Sequence, residues 1–451
     1  MTTQVESQGQ AATQPMIERG PALESIVPPA SWSFSTRIGF RLAFVYFILY
    51  SFPFPIDLIS YASVLGVKWE YLWRALVPWI AEHVLRLSYK ITVFSNGSGD
   101  TTYDYIKTLC YAVLAVVAVT LWSVLDRKRS NYQKLHGWLR LYVRIVLAAA
   151  LLSYGAVKVI PNQMPDPPLS RLLTTNGDST PMSLLWTFMG ASRSYEMFAG
   201  LMEMLGGILL FFPSFTMLGA LVSVATMANV FMMNMSYDVP VKLFSFHLLI
   251  MSVWLLLPDL QRLANFFVLN RAVKPHINNP FFQRRWLNVS LFVAQLLLGM
   301  YLASTDLYSS YQRARTSGYL APPAPLYGIW MVDEFTVGGQ SPQPDDQSRW
   351  QQAIFDNSYE VVFQSVNGKR QRFIHQTNVQ KKTVTVWRRE NPGQRMQIAF
   401  DRPQSDAMTL DGNVDGEQIH ARLHRVPEPK FMLNTRGFHW INEYPFNRYN
   451  E

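Results

Sequence analysis

Long apolar runs recur along the first two thirds of the chain, at about residues 38–56, 106–125, 139–160, 195–212, 215–234, 241–257 and 288–303. A helix needs about 20 apolar residues to cross a bilayer, and flanking residues complete runs that fall slightly short. The pattern predicts seven transmembrane helices within a membrane region of residues 37–303. The stretch "WEYLWRALVPWIAEHVLRL" sets aromatic and aliphatic residues at helical spacing among charges, and predicts a helix that lies at the membrane interface or packs on the ends of the bundle. Residues 1–36 are polar and contain prolines, which reads as a disordered tail.

Past residue 303 the period changes. Residues 304–325, with "TSGYLAPPAPLYG", read as a linker, and 326–451 as a β domain. Short alternating segments such as "YEVVFQSV", "KTVTVWR" and "QIHARLHR" are separated by turn sequences such as "NGK" and "DGNVDG". Ile419, Ala421 and Leu423 point to one face, and His420, Arg422 and His424 to the other. The fold class predicted is therefore a mostly α-helical polytopic membrane protein with a small C-terminal β-barrel-like domain. Gly328-Ile329-Trp330 resembles the signature that opens the first strand of lipocalins, which implies a barrel able to hold a small ligand. The simpler reading is that Trp330 plugs the base of a solid barrel. The closing segment "FMLNTRGFHWINEYPFNRYN" is rich in aromatics and is expected to pack on the barrel or the bundle. Arg436, His439, Trp440, Glu443 and Arg448 are its docking residues, with a shared site of His439, Glu443 and Arg448 as the alternative.

Composition sharpens this picture. Of the 451 residues 49% are hydrophobic and 16% charged, against a charged fraction of about 25% in soluble domains. The formal net charge is +9, yet residues 304–451 hold 17 Lys+Arg against 16 Asp+Glu, so the basic excess belongs to the membrane region. There it is a signal of topology rather than of nucleic-acid binding. "DRKRSNYQKLHGWLRLYVR" carries six Lys/Arg and "QRLANFFVLNRAVKPHINNPFFQRR" five, whereas loops 161–183 and 235–242 carry one each. Both basic loops and the N-terminus are expected in the cytoplasm, and everything after residue 303 outside. Cys110 is the single cysteine, so an intrachain disulfide and a thiolate metal cluster are excluded; inside a span it reads as a core filler. No spacing of metal-site type is found.

Polar residues inside the apolar runs are the candidate chemistry. Glu203 lies halfway along its run, where a charge costs several kcal/mol unless paired or hydrated. Glu196, seven residues earlier, faces the same side. Tyr154 and Lys158 are one turn apart on one face. Asn229 and Asn234 lie on the next helix, Asp238 and Lys242 in the following turn, and His247 about 7.5 Å further into its helix. The inner halves of the runs look almost wholly apolar, which argues against a transport path. These nine residues are expected to form an outward-facing polar pocket roofed by residues 161–183 and the β domain. Lys158 and Lys242 would supply positive potential, Glu203 and His247 would exchange protons, and the asparagines would orient a ligand. The rival is a sealed hydrogen-bond network. Gly206, Gly207 and Gly219 read as close helix contacts, Trp186 as part of an interface belt, and Ser179, Thr180 and Ser183 as helix-start residues.

Over residues 140–270, "LLSYGAVKV", "FAGLMEMLGGILLFFPSFTMLGALV" and "NVFMMNMSYDVPVKLFSFHLL" resemble the DoxX-like family of small bacterial membrane proteins, which includes the DoxD-type small subunit of a thiosulfate:quinone oxidoreductase. The matching features are "YGAVK", Tyr154 to Lys158, and "EMLGG", Glu203 to Gly207. The resemblance implies a four-helix bundle in the bacterial inner membrane, a quinone as cofactor and a membrane or periplasmic redox protein as partner. Three additional spans and the β domain depart from the family pattern. An accessory or assembly subunit is the first functional reading, a quinone-linked oxidoreductase subunit the second and a small-solute transporter the third.

The charge asymmetry makes topology directly testable. Alkaline phosphatase fused after residue 130 or 275 is expected to be inactive, and fused after residue 451 active. Activity at 130 or silence at 451 would reverse the arrangement.

Overall fold

Short polar side chains start several helices of the membrane region. Ser33 caps α1 (Phe34–Ser51) by accepting from the Thr36 N–H, and Thr101 with Asp104 forms a reciprocal capping box at α3 (Thr102–Leu125). The fold that follows comes from a computed structural model describing residues 31–445 apart from 60, 95, 274–279, 344–345, 347–348, 357–358 and 428–430. The N-terminal tail up to residue 30 and Arg448 lie outside the described residues.

α4 (Gln133–Val159) runs through the middle of the bundle, followed by the one-turn α5 (Leu169–Leu172) and α6 (Pro181–Gly190), which starts where Thr180 accepts from the Ser183 N–H. α7 (Arg193–Phe211), α8 (Thr216–Ser236) and α9 (Lys242–Leu256) complete a four-helix group with α4. Past Pro258 the chain continues through α10 (Leu260–Leu263), and α11 (Arg285–Ser317) ends the membrane region. Among the described residues, seven helical segments are long and apolar enough to cross a membrane, and the protein is a polytopic membrane protein. α2 (Ser63–Trp79) is not one of them. It buries Trp73 and Val77 against Tyr103, Ile106 and Tyr111 of α3 while Tyr71 and Trp79 stay exposed.

The seventh helix does not stop near residue 303. It runs on to Ser317, where Gly318 closes it by donating to the carbonyls of Arg313 and Ala314. The Ser, Thr, Tyr, Gln and Arg residues of 304–317 end the apolar run without breaking the helix, so hydropathy and helicity part company there. At 33 residues the helix is about 50 Å long, longer than the hydrocarbon layer is thick.

The tightest contact in the bundle is between α4 and α7. A Cβ placed on Gly155 would stand 2.8 Å from the carbonyl oxygen of Gly200, and one on Gly200 would stand 2.7 Å from that of Gly155. No other residue fits at this crossing, and the two backbones touch directly. Further along the same seam, Gly207 meets the carbonyl of Ala148.

At the end of α4 remote from Lys158, the bundle is more polar than its sequence suggests. Arg144 is buried and donates to Thr216 Oγ1 at 3.2 Å and Gln295 Oε1 at 2.5 Å. Arg140 meets Asp259 at 2.9 Å, and buried Arg41 donates to the Tyr132 hydroxyl at 2.6 Å and the Asp126 carbonyl at 2.9 Å. The expectation of almost wholly apolar inner halves is therefore corrected: Arg140 and Arg144, counted with the basic loop, and Arg41, near the start of the first run, turn into the bundle and tie helix ends together.

The C-terminal part is an eight-stranded antiparallel barrel: β1 (Gly328–Val337), β2 (Trp350–Phe355), β3 (Glu360–Ser365), β4 (Arg370–Asn378), β5 (Thr383–Arg388), β6 (Asn391–Gln404), β7 (Ala407–Val414) and β8 (Glu417–Val426). Each strand pairs with the next, and β8 closes on β1. Ile419, Ala421 and Leu423 point inward, while His420, Arg422 and His424 face out and pair with Asp411, Glu334 and Asp333. The interior is filled by side chains, with Trp350 stacked 4.0 Å from Phe363 and Phe373 beside it. Trp330 is fully buried at one end, its Nε1 donating to Leu326 O at 2.9 Å under the guanidinium of Arg402. It is a plug.

In the described part of the aromatic C-terminal segment, Phe431 packs on the cluster of Leu169, Ile329, Ile354 and Val362, whereas the aromatics from Phe438 to Tyr444 are exposed. After α12 (Met432–Thr435), Phe438 is 76% and Trp440 91% exposed, and His439 and Glu443 are exposed as well. Phe438 contacts Trp440, and Arg436 donates to Asn442, so these contacts are within the segment. Aromatics at 438, 440 and 444 share strand parity, yet residues 436–445 form no strand, and the closed barrel leaves no free strand edge to pair with.

A soluble fragment spanning 322–451 is expected to give a strand-rich far-ultraviolet spectrum and a cooperative melt. Trp330→Ala in that fragment should lower unfolding free energy by about 3–5 kcal/mol in a denaturant titration. An unchanged midpoint would show that the ring is not the plug.

Candidate functional site

The close contact of α4 with α7 decides what sits beyond it. Three residues past each glycine, Lys158 of α4 and Glu203 of α7 come together, Nζ to Oε2 at 2.8 Å, with 6% and 1% of their side chains exposed. Lys158 also lies 3.4 Å from the Tyr154 carbonyl oxygen and 5.7 Å from the centre of the Tyr154 ring. Two opposite charges in contact behave as a dipole, and either one alone at this depth would carry a large desolvation cost.

This pair lines a cavity of about 290 Å³ enclosed by α4, α6, α7, α8 and α9. Met164, Met189, Met202, Met227 and Met233 contribute walls that can adapt to an occupant's shape, joined by Trp186, Phe198 and Phe244. Polar groups are few. Asn234 donates to Ser245 Oγ at 3.0 Å, Asn229 and Thr226 face the cavity from α8, and Trp186 Nε1 donates to the Gln163 carbonyl at 3.1 Å. The Gln163 side-chain oxygen is buried with no hydrogen-bond partner among the described residues. Tyr154 and Phe198, on the outer faces of their helices, are 38% and 58% exposed, so the cavity opens sideways through the bundle wall.

The nine predicted site residues separate into three groups. Tyr154, Lys158, Glu203, Asn229 and Asn234 line the cavity. Glu196 stands behind its wall, fully buried, with Oε1 accepting from the Met164 N–H at 3.0 Å, and so pins the loop after α4 to the start of α7. Asp238, Lys242 and His247 lie elsewhere, and the expectation that Lys242 and His247 join the pocket is corrected. Phe244, Ser245 and Leu248 define the lining face of α9; at 100° per residue, Lys242 and His247 fall roughly 110° away on opposite sides.

Both have structural partners there. Lys242 pairs with Asp238 at 2.8 Å and lies 3.8 Å from Asp100, whose carboxylate accepts the N–H groups of Lys242 and Leu243 and so caps α9. His247 turns toward α1: Nδ1 donates to the Leu243 carbonyl at 2.7 Å, which leaves Nε2 to accept from the Tyr46 hydroxyl at 2.6 Å. Its ring stacks on Tyr50 at 3.9 Å. "YDVPVKLFSFHLL" is thus mainly the start and anchorage of α9, with one face given to the cavity.

Sequence reasoning missed Gln163, Met164 and Ser245, and read Trp186 as an interface residue. Gln163 and Met164 belong to a loop without period. Ser245 carried the one usable signal, a hydroxyl in an apolar run eleven residues after Asn234.

No protein-family model matches the chain, and no solved structure matches it. It is 30% identical over 133 residues to an uncharacterized protein, YwoB, of Bacillus subtilis (strain 168), an alignment that covers 28% of this chain and 79% of the relative.

Separating Lys158 from Glu203 should be costly, and removing both much less so. Lys158→Met or Glu203→Gln alone is expected to lose about 3–5 kcal/mol, and the double variant to recover most of it. Thermal melts of the detergent-solubilised protein check this; a double variant showing the sum of the two losses would mean that the groups are not coupled.

Proposed function

The chain belongs to the family of the Bacillus subtilis protein YwoB, and from the geometry of its cavity we propose that it is an accessory subunit of the bacterial cytoplasmic membrane that holds a neutral, quinone-like molecule. In this reading the N-terminus is cytoplasmic, the cavity lies in the outer half of the membrane, and the barrel stands in the periplasm to meet a membrane or periplasmic redox protein. The observation that carries it is a largely apolar cavity whose single ion pair is internally neutralised. Among the described residues, Lys158 is the only cation lining it, and Glu203 holds that charge.

An anionic ligand would have to displace Glu203 from Lys158 in a low-dielectric setting. A neutral planar ring with carbonyl acceptors needs no such exchange. It would take hydrogen bonds from the amides of Asn229 and Gln163 or from Lys158, lie against the methionines and Trp186, and enter sideways past Tyr154 and Phe198 from the lipid. The DoxX-like motifs support the same reading, since Tyr154, Lys158 and Glu203 are both the motif residues and the residues at the cavity. The barrel's filled interior favours a protein partner over a small ligand for that part.

Purification in a mild detergent, with extraction and mass analysis of lipid-soluble compounds, tests the proposal. A quinone is expected to accompany the native protein and to be absent from Met233→Trp, in which an indole occupies the cavity. Equal amounts in both, at equal melting temperature, or phospholipid alone, would overturn it.

A further inference from the structure

α5 is too short to stand alone. A single helical turn fixes several residues for one hydrogen bond, and isolated turns do not persist in water. α5 spans four residues, yet both its ends are satisfied, and by the barrel. The Ser170 N–H donates to Asp356 Oδ1 at 2.8 Å. At the other end Arg370 donates to the carbonyls of Ser170 and Leu173 at 2.7 and 2.9 Å, and also to the Thr174 hydroxyl. Between them Leu169 is buried among Ile329, Ile354 and Val362, barrel residues that face outward rather than into the core.

The same segment is tied to the cavity. Arg171 of α5 donates to Thr187 at 2.6 Å and Ser179 at 2.9 Å, which holds α6, and α6 presents Leu185, Trp186 and Met189 to the cavity. Upstream, Met164 lines the cavity and is held by Glu196, and Gly190 packs so closely that an added Cβ would stand 2.3 Å from the Pro165 carbonyl oxygen. Residues 161–180 therefore form a strap held to the bundle at its start, through Asn162, Met164 and Asp166, and to the barrel at α5.

We propose that the barrel is the latch of the cavity: by folding α5 it holds the strap and α6 closed over Lys158 and Glu203, and release of the Arg370 and Asp356 contacts opens the roof. This rests on the cavity being a binding site, but the motion can be measured with no ligand present. In the full chain with Cys110→Ser, Met189→Cys places a thiol in the cavity wall. Arg370→Ala, which removes three hydrogen bonds to the strap, is expected to raise its rate of maleimide labelling at least about tenfold, the scale of a single lost charged hydrogen bond, and to expose Arg171 to trypsin. Lys382→Ala, on the barrel surface where its partner is Asp401, should change neither.

Cys110 in an otherwise native chain reports on bundle integrity, and its labelling should be the same with and without Arg370→Ala. If it is not, Asp356→Ala, which frees only the Ser170 end, takes the place of Arg370→Ala with the same expectation. Unchanged labelling of Met189→Cys in a variant with intact Cys110 protection would overturn the latch, whether or not a quinone is found. Faster labelling with no ligand recovered would leave the latch standing and remove the quinone.

Discussion

The contact on which the bundle's chemistry depends is the backbone-to-backbone crossing of Gly155 and Gly200. Lys158 and Glu203 can neutralise each other only because no side chain keeps α4 and α7 apart. A methyl group at either glycine would require the helices to separate or shift. An ammonium and a carboxylate held even a few ångströms further apart in hydrocarbon would face several kcal/mol of uncompensated desolvation. The glycines and the ion pair are therefore one device: small residues set the distance, and the distance makes charge tolerable in the bilayer.

Neutralisation also shapes the cavity. Its walls are methionine, aromatic and aliphatic, and its described ionisable pair has no net charge to offer. What remains for recognition is a sparse set of amides and hydroxyls, of which the Gln163 side-chain oxygen has no partner among the described residues. Such a site discriminates by shape and by a few hydrogen bonds, and the sideways opening at Tyr154 and Phe198 faces the phase in which apolar molecules concentrate.

The number of spans and the barrel were legible because both rest on long, repeated patterns: apolar runs of bilayer length, then alternation with turn residues between strands. What failed to show was phase and partnership. Glu203 announced itself by position, but His247 was placed in the pocket by its depth below Lys242, and depth along a helix says nothing about the angle around it. Arg41 and Arg144 were hidden by standing at run edges, where arginine ordinarily reads as topology. The tail misled in part: aromatic content signalled packing, and Phe431 does pack on the barrel, but Phe438 and Trp440 lie in no strand or helix and stay exposed. Residues 304–317 show that the end of an apolar run marks the end of hydrocarbon and not of helix.

The strap between α4 and α6 is where bundle and barrel become one object. Beyond its backbone bonds, α5 finds within its own sequence the Thr174 hydroxyl, which donates to the Ser170 carbonyl; Asp356 and Arg370, almost two hundred residues away, supply the acceptor for the Ser170 N–H and the further donors. A loop that carries Gln163 and Met164 into a cavity wall would ordinarily be free to sample many conformations, and any occupant would have to order it at a cost in affinity. Anchoring that loop to a rigid, filled barrel transfers the ordering cost to the folding of the chain. It also makes the cavity sensitive to whatever the barrel touches, since the residues that order the roof lie on the barrel's outer surface and not in its core.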